Sequence, residues 1–465
     1  MEELVYDIEA DNLLPGLTTI WCIGVCEPKF PDAVTTYTDY DDDHPSLREG
    51  LERLGRAKRL IGHNNIGYDC PAIEKLFPGY VRFEQQWDNM AVAALLNPSR
   101  RSLALVSFGK EFGFEKGDFH DFSAYSEEMR VYMVRDVALT ARVYNDLQSQ
   151  LKQAFAGGVD YRKSIELEHK VQLCLALQNQ HGFKFDVKRA EMLSAKLSGR
   201  KNELEQHLVG VFPPAIRPKN ASWCYRTRTW KLPEVFKPKV NNRTVGYTKN
   251  AEMVKARVEI FNPGSREQVA MRLNKMYGWK PTEYTDDGRP KVDEAVLKEL
   301  DYPEAKLLVQ YYKTNKQLAQ LCEGKMAWLK LHGGGRMHGY VRSCGARTHR
   351  MSHSRPNMAQ CDKSLEMRSL WVPDDGHVLV GVDANALELV MLSCYLFPWD
   401  KGAYARAVLT GRKEDGNDAH TLNMNAAGLL SRDFSKTYFY AMIYGAGNEK
   451  LGAVYAQDHA ENGGK

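Results

Sequence analysis

The stretch "SRDFSKTYFYAMIYGAGNEK" runs from Ser431 to Lys450, and in it Arg432, Lys436, Tyr440 and Tyr444 stand four residues apart. Side chains at i and i+4 share one face of an α-helix. The spacing therefore predicts a helix, ended by Gly445, that lines up two cations and two phenols among Phe439, Ala441, Met442 and Ile443. Such a stripe suits a ligand that is anionic at one end and flat at the other. An amphipathic helix with a snorkelling Arg and Lys gives the same pattern.

The chain has 465 residues, enough for roughly three domains. Its apolar and charged contents, 43% and 26%, are those of an ordinary globular protein. Glu2, Glu3, Asp7, Glu9 and Asp11 crowd the first twelve residues, which argues against a secretory signal. The longest uncharged run, Leu13 to Cys26, contains Pro15 and Gly16 and falls short of the ~20 residues that span a bilayer. No membrane association is expected. Nine scattered cysteines without a Cys-x-x-Cys pair point to free thiols in a reducing cytoplasm. Residues 1–150 hold 15 Lys and Arg against 25 Asp and Glu, a net of −10, whereas the remainder carries +14. A basic body suits a polyanion, and an acidic lobe meets the same ligand through metal ions. A solvated surface explains the charges equally well.

In the acidic lobe, "LVYDIEA" (Leu4 to Ala10) reads as a buried strand. Residues i and i+2 of a strand share a face, so Asp7 and Glu9 present paired carboxylates. "RLIGHNNIGYDCPAI" leads from an apolar strand into a loop with Asn64 and Asp69. "MRVYMVRDVALTARVYNDL" has helical period and places Tyr132 and Asp136 on one face. Asp7, Glu9, Asp69 and Asp136 make an all-oxygen set, which favours Mg²⁺ or Mn²⁺ over zinc. Two such ions about 4 Å apart activate water and stabilise the leaving oxygen of a phosphodiester. Asp88, before another helical run, reads equally well as a further site carboxylate or as a helix cap, and stays outside the set.

These three motifs, in this order, resemble those of the tyrosine-using (DEDDy) proofreading exonucleases of ribonuclease-H-like fold. The resemblance implies that Asp7, Glu9, Asp69 and Asp136 hold the metals and that Tyr132 positions the attacking water.

Gly157-Gly158 separates two helical patterns and marks a boundary. Between Pro213 and Ile260 periodicity vanishes, and eleven Lys and Arg face only Glu234, Glu252 and Glu259, with Trp223, Tyr225, Trp230 and Tyr247 interleaved. Cations among aromatics suit a nucleic-acid backbone and its bases. A solvated surface insertion is the other reading.

Past Leu331, "GYVRSCGARTHRMSHSRPNMAQ" offers Arg350, His353, Asn357 and Gln360 around Pro356. "HVLVGVDANALELVMLSCYL" reads as a strand over Val378 to Val382 that delivers Asp383, followed by a helix carrying Glu388. From Glu3 to about Gly452 the chain resembles the family A (polymerase I type) DNA polymerases, in the form of the replicative enzymes of T-odd bacteriophages. Asp383-Ala384 with Glu388-Leu389 resembles the first palm motif, "THRMSHSRPNMAQ" the segment that grips primer–template, and "NDAHT" (Asn417 to Thr421) the approach to the fingers helix.

The resemblance implies an α/β and α+β multidomain chain: an exonuclease domain (1–155), a thumb region (160–332) with a basic insertion (213–260), and a partial palm with fingers (333–465). It implies a metal on Asp383 and Ala384, and Glu388 beside the nucleotide. By the same resemblance, Arg432, Lys436 and His420 are expected to grip the triphosphate, Lys436 to protonate the pyrophosphate leaving group, Tyr440 to pack on the sugar and Tyr444 to stack where the template base enters. The resemblance likewise implies that Arg350, His353, Asn357 and Gln360 grip DNA. The implied ligands are primer–template DNA, dNTPs and two Mg²⁺ per site, with Mn²⁺ as substitute. A processivity factor of the thioredoxin kind at the arm, and a replicative helicase-primase, are the partners it suggests, in the cytoplasm of an infected bacterial host.

Three departures stand out. Asn385 and Val390 occupy the Ser and Arg places of the palm motif, and His349 stands where a glycine is expected. No His-Asp-Glu motif follows the fingers helix, so the expectation is either a fragment or a split polymerase whose palm a second polypeptide completes. The rival readings are an exonuclease whose polymerase-like body is only a DNA platform, and a non-catalytic replication scaffold.

Overall fold

The computed structural model describes residues 2–463 except 219–221, 225–228, 232–234, 245–247 and 255, and gives the backbone alone for the rest of 216–234 and for 256–257. Two compact units divide at His377 and Val378.

The first unit opens with β1 (Glu3–Ala10), β2 (Ile20–Cys26), β3 (Thr35–Thr38), α1 (Leu47–Arg56), β4 (Arg59–Gly62), α2 (Asp69–Leu76), β5 (Gln86–Asp88), α3 (Asn89–Leu96), α4 (Leu105–Phe112) and α5 (Glu127–Ala156). The strands order as β3-β2-β1-β4-β5, with β1–β2 and β2–β3 antiparallel and β1–β4 and β4–β5 parallel. Both faces of this sheet are covered, which is why β1 is buried almost throughout rather than at alternate residues. Leu4, Tyr6 and Ile8 pack on Leu51, Leu54 and Ile73 on one face. Val5, Cys22 and Ile61 pack on Met133, Val137 and Tyr144 of α5 on the other. Burying such side chains stabilises by about 1.5–3 kcal/mol each.

Gly157 caps α5, and Gly158 turns the chain with φ +88° into α6 (Arg162–His181). After β6 (Phe183–Lys184) comes α7 (Val187–Val211). In the arm, β7 (Ala215–Pro218) pairs with β10 (Ala256–Glu259), and β8 (Ser222–Cys224) with β9 (Thr229–Lys231). The arm's Lys219, Tyr225, Arg226, Arg228, Glu234, Tyr247 and Lys255 lie outside the described residues.

Helices α8 (Arg266–Tyr277), α9 (Glu294–Lys298) and α10 (Pro303–Leu318) close a core on the distal half of α7, through Leu204, Leu208 and Phe212. Its proximal half packs with α11 (Trp328–Leu331), β11 (Arg336–Met337), which pairs with β6, and α12 (Leu365–Arg368). Between them β12 (Tyr340–Arg342) and β13 (Ser352–Ser354) form a hairpin.

The second unit is helical: α13 (Leu387–Asp400), α14 (Ala403–Thr410), α15 (Ala419–Ala427), α16 (Arg432–Ile443) and α17 (Asn448–Asn462). The strand expected at Val378–Val382 does not form, and Val378, Val380 and Val382 are 80%, 78% and 90% exposed. A strand exists only where a neighbour takes up its N–H and C=O groups. Among the described residues, this unit offers no other strand.

Candidate functional site

Asp7 and Glu9 share one face of β1, and Asp136 reaches them from α5, so that one carboxylate oxygen of each lies within 4.8 Å of the others. Among the described residues this is the one group of three or more such side chains assembled like a cation site. Asp69 opens α2, accepts the Ile8 N–H at 3.3 Å and shares a hydrogen bond with Asp7. The four expected carboxylates therefore converge, with Asp69 joined through Asp7.

Burial and then the neighbouring negative charges push the Asp7 carboxyl well up. Burial, with Asp136 as the chief repelling neighbour, raises Glu9 to about 8, and burial raises Asp69 to about 7. Desolvation is the larger cause of each shift, and repulsion between neighbouring carboxylates adds to it at Asp7 and Glu9. The buried Asp136 Oδ1 has no partner. A set of hard oxygens with one unsatisfied atom fits a divalent cation.

Tyr132 lies one turn before Asp136 on α5, half-buried, with its ring near Phe119 and Phe122. Burial and then Asp136 push its phenol up to about 12, so it is a neutral donor. Asp88 is the N-cap of α3 and accepts the Met90 and Ala91 N–H groups at 2.8 and 3.3 Å.

Two residues that close this site carry no motif. Gly24 on β2 stands opposite Asp7, and a Cβ there would fall 1.9 Å from Met133 Sδ and 2.8 Å from Val137. Glycine there leaves room for these two side chains of α5, the helix that carries Asp136, to lie directly on the sheet. Lys116, in the loop before α5, sets its ammonium 2.6 Å from Asp136 Oδ2.

In the second unit, Ser431 caps α16, and Arg432, Lys436 and Tyr440 follow down one face. Tyr444 caps the C-terminus and Gly445 leaves with φ +80°. Lys436 is exposed. The Arg432 guanidinium binds the Asp418 carboxylate, Nη2 to Oδ1 2.8 Å. Ser435 donates to the His420 carbonyl at 2.9 Å, which ties α16 to α15. The His420 ring lies 6.3 Å from that of Tyr440, and burial, then Arg432 and Lys436, lower its pKa. Tyr444 donates to Glu388 at 2.7 Å. His420, Arg432, Lys436 and Tyr440 are thus assembled on two adjoining helices. Asp383 and Ala384 stay exposed in the unpaired segment before α13.

In the first unit, His353 lies on β13, and Asn357 caps a short turn over Met358–Gln360 through the Ala359 N–H. Arg350, Asn357 and Gln360 are exposed, and the buried His353 Nδ1 has no partner. His349 adopts φ +56°, the left-handed backbone for which a glycine is expected.

Compared with known families, residues 235–461 match DNA polymerase family A and residues 4–129 match the RNase H superfamily. The chain thus carries a family A DNA polymerase domain together with an RNase H-like domain. The chain is 29% identical over 551 residues to the DNA-directed DNA polymerase of Escherichia phage T7, spanning 97% of this chain and 77% of that one. The DNA-directed DNA polymerase of Enterobacteria phage T3 gives 29% over 558 residues with the same coverages. Among solved structures, "POL domain of Pol1 from M. smegmatis complex with DNA primer-template and dNTP" aligns with a TM-score of 0.63 over 99% of this chain and 73% of that one. At 15% identity that likeness establishes a shared fold. Among the described residues, no helix is long and apolar enough to cross a membrane.

Proposed function

We propose that the chain is a DNA-directed DNA polymerase of viral DNA replication that carries a 3′→5′ proofreading exonuclease. The observation that carries this reading is that one chain holds both a four-carboxylate cluster, with Asp7, Glu9 and Asp69 in the region that matches RNase H and Asp136 just beyond it, and a cation–phenol stripe in the region that matches family A. Residues 1–155 form the exonuclease domain, 160–332 the thumb with its insertion at 213–260, and 333–465 palm and fingers.

In the exonuclease, Asp7, Glu9, Asp69 and Asp136 would hold two Mg²⁺, with Mn²⁺ able to replace it. Bound there, the ions supply an activated water and charge neutralisation at the phosphodiester. The Tyr132 phenol, neutral at physiological pH, orients the water by hydrogen bonding.

In the polymerase site, Arg432, Lys436 and His420 hold the triphosphate of the incoming dNTP, and Lys436 delivers a proton to the departing pyrophosphate. Tyr440 and Tyr444 give flat faces to sugar and template base, beside Glu388. Asp383 and Ala384 would hold the metal of nucleotidyl transfer. Arg350, His353, Asn357 and Gln360 grip primer–template. The setting is the cytoplasm of an infected bacterium, with a processivity factor at the insertion and a helicase-primase as partners.

The test is degradation of 3′-labelled single-stranded DNA by the full chain with Mg²⁺. Asp7→Ala with Glu9→Ala should abolish it, and Lys436→Ala should leave it intact while weakening dNTP binding. Unchanged degradation by the double variant would remove the exonuclease assignment.

A further inference from the structure

We propose that Lys116 is a built-in counter-cation of the carboxylate cluster: its ammonium occupies the Asp136 side of the site until a divalent ion arrives, and then gives way. This rests on the exonuclease reading above and adds a residue to that site.

The placement of Lys116 is specific. Its Nζ lies 2.6 Å from Asp136 Oδ2, with side-chain exposures of 24% for the lysine and 5% for the aspartate. The same ammonium stands 4.8 Å from the centroid of the Tyr132 ring. One cation thus engages both α5 side chains that face the cluster. Burial works against its charge, but Asp136 and then Tyr132 hold its pKa well up, so it is a full positive charge.

The loop is anchored to put it there. Phe114 lies against two guanidinium groups of α5, Arg135 at 4.6 Å and Arg142 at 4.2 Å. The Arg135 guanidinium donates to the Glu115 carbonyl. The Phe114 N–H bonds the Gly109 carbonyl at 2.9 Å. A lysine on a free loop would lose side-chain entropy to reach a buried carboxylate. Here the backbone on its N-terminal side is already tied to the helix that carries the target.

The need for it follows from charge. Four converging carboxylates repel one another strongly when no ion is present. Lys116 offsets one of those charges and leaves the opposite oxygen, Asp136 Oδ1, unpartnered and facing burial. A divalent ion that binds the cluster meets the lysine's like charge and competes for Asp136. Lys116 therefore lowers metal affinity while protecting the metal-free fold.

The experiment is titration of the full chain with Mn²⁺ alone, followed by calorimetry, for the wild type, Lys116→Gln and Lys116→Arg. Removing one positive charge a few ångströms from the ion should tighten Mn²⁺ binding by roughly tenfold, while the Arg variant stays near wild type. The Gln variant should also melt at a lower temperature in EDTA and gain more from Mn²⁺. Unchanged or weaker Mn²⁺ binding by Lys116→Gln overturns the proposal.

A second readout needs no variant. Amine acylation followed by peptide mass spectrometry should label Lys116 slowly in EDTA and several-fold faster with Mn²⁺. Equal labelling overturns the proposal even if the Gln variant does not fold. If the wild type binds no Mn²⁺, the exonuclease reading itself fails, a result distinct from either.

Discussion

The Arg432 guanidinium on α16 is held by the Asp418 carboxylate on α15, with Nη2 and Nε 2.8 and 3.2 Å from Oδ1. Asp418 also caps α15 through the His420 N–H at 3.1 Å and accepts from the Thr421 hydroxyl at 2.5 Å. One carboxylate thus sets the residue proposed to meet the triphosphate. Burial acts to raise the Asp418 pKa, yet Arg432 and Thr421 bring it down to about 2. A carboxylate whose folded pKa lies below its unfolded value stabilises above the unfolded pKa and loses that contribution as pH falls. The stability difference between wild type and Asp418→Asn should therefore be full at pH 5 and fade between about pH 4 and 2. Urea denaturation across that range measures it.

Gly24→Ala should destabilise the first unit by about 1–3 kcal/mol, since the new methyl overlaps Met133 Sδ and the Val137 methyl. Because Met133 and Val137 flank Asp136 on α5, the same change should weaken Mn²⁺ binding. Adding Met133→Ala makes room, so the double variant should lose less than the sum of the two single losses. Strict additivity in thermal unfolding would show that the contact is not what holds α5 at that depth.

His349→Gly should stabilise the hairpin region by up to about 1 kcal/mol, because φ +56° strains a side chain but not glycine. The loop's own hydrogen bonds, Ala346 N–H to Arg350 O at 3.0 Å and His349 N–H to Ala346 O at 2.9 Å, hold the strained conformation. A lower melting temperature for the glycine variant would mean that the imidazole makes a compensating contact.

Two histidines of the first unit, the part-buried His63 and the buried His169, should give it a measurable loss of stability in acid above the ordinary carboxylate range. Burial lowers both His63 and His169 to about 4. His169 Nε2 accepts the Asp88 N–H at 3.3 Å, so it is held neutral. Their folded pKa lies below the unfolded value of about 6.5, so the unfolded chain binds more protons. The histidines' own contribution to stability should then fall as pH drops from about 6.5 to 4, against the opposite slope that the raised Glu9 and Asp69 carboxyls give. His169→Gln should flatten part of that slope in denaturant titrations at pH 7, 6 and 5. An unaltered slope would place the acid sensitivity elsewhere.

Periodicity made the α16 stripe legible, as it did the pairs Asp7 with Glu9 and Tyr132 with Asp136. Each lies within one element, where spacing alone puts side chains on one face. Asp88 was legible as a cap for the same local reason. Gly24 could have been suspected only as a glycine inside a strand pattern, a signal for close approach. Lys116 gave none: it sits twenty residues before Asp136 in an irregular loop, and its charge is unexceptional in sequence.

The sequence by itself determined the helix faces and strand faces on which the carboxylates, cations and phenols stand, because those follow from backbone periods of 3.6 and 2. The tertiary structure alone decided which faces meet. It seated α5 against β2 over Gly24, brought Lys116 to Asp136, and engaged Arg432 with Asp418. It also left Val378–Val382 unpaired despite an apolar run of strand-like residues. A strand is completed by hydrogen bonds to another segment, and no property of its own five residues supplies that neighbour.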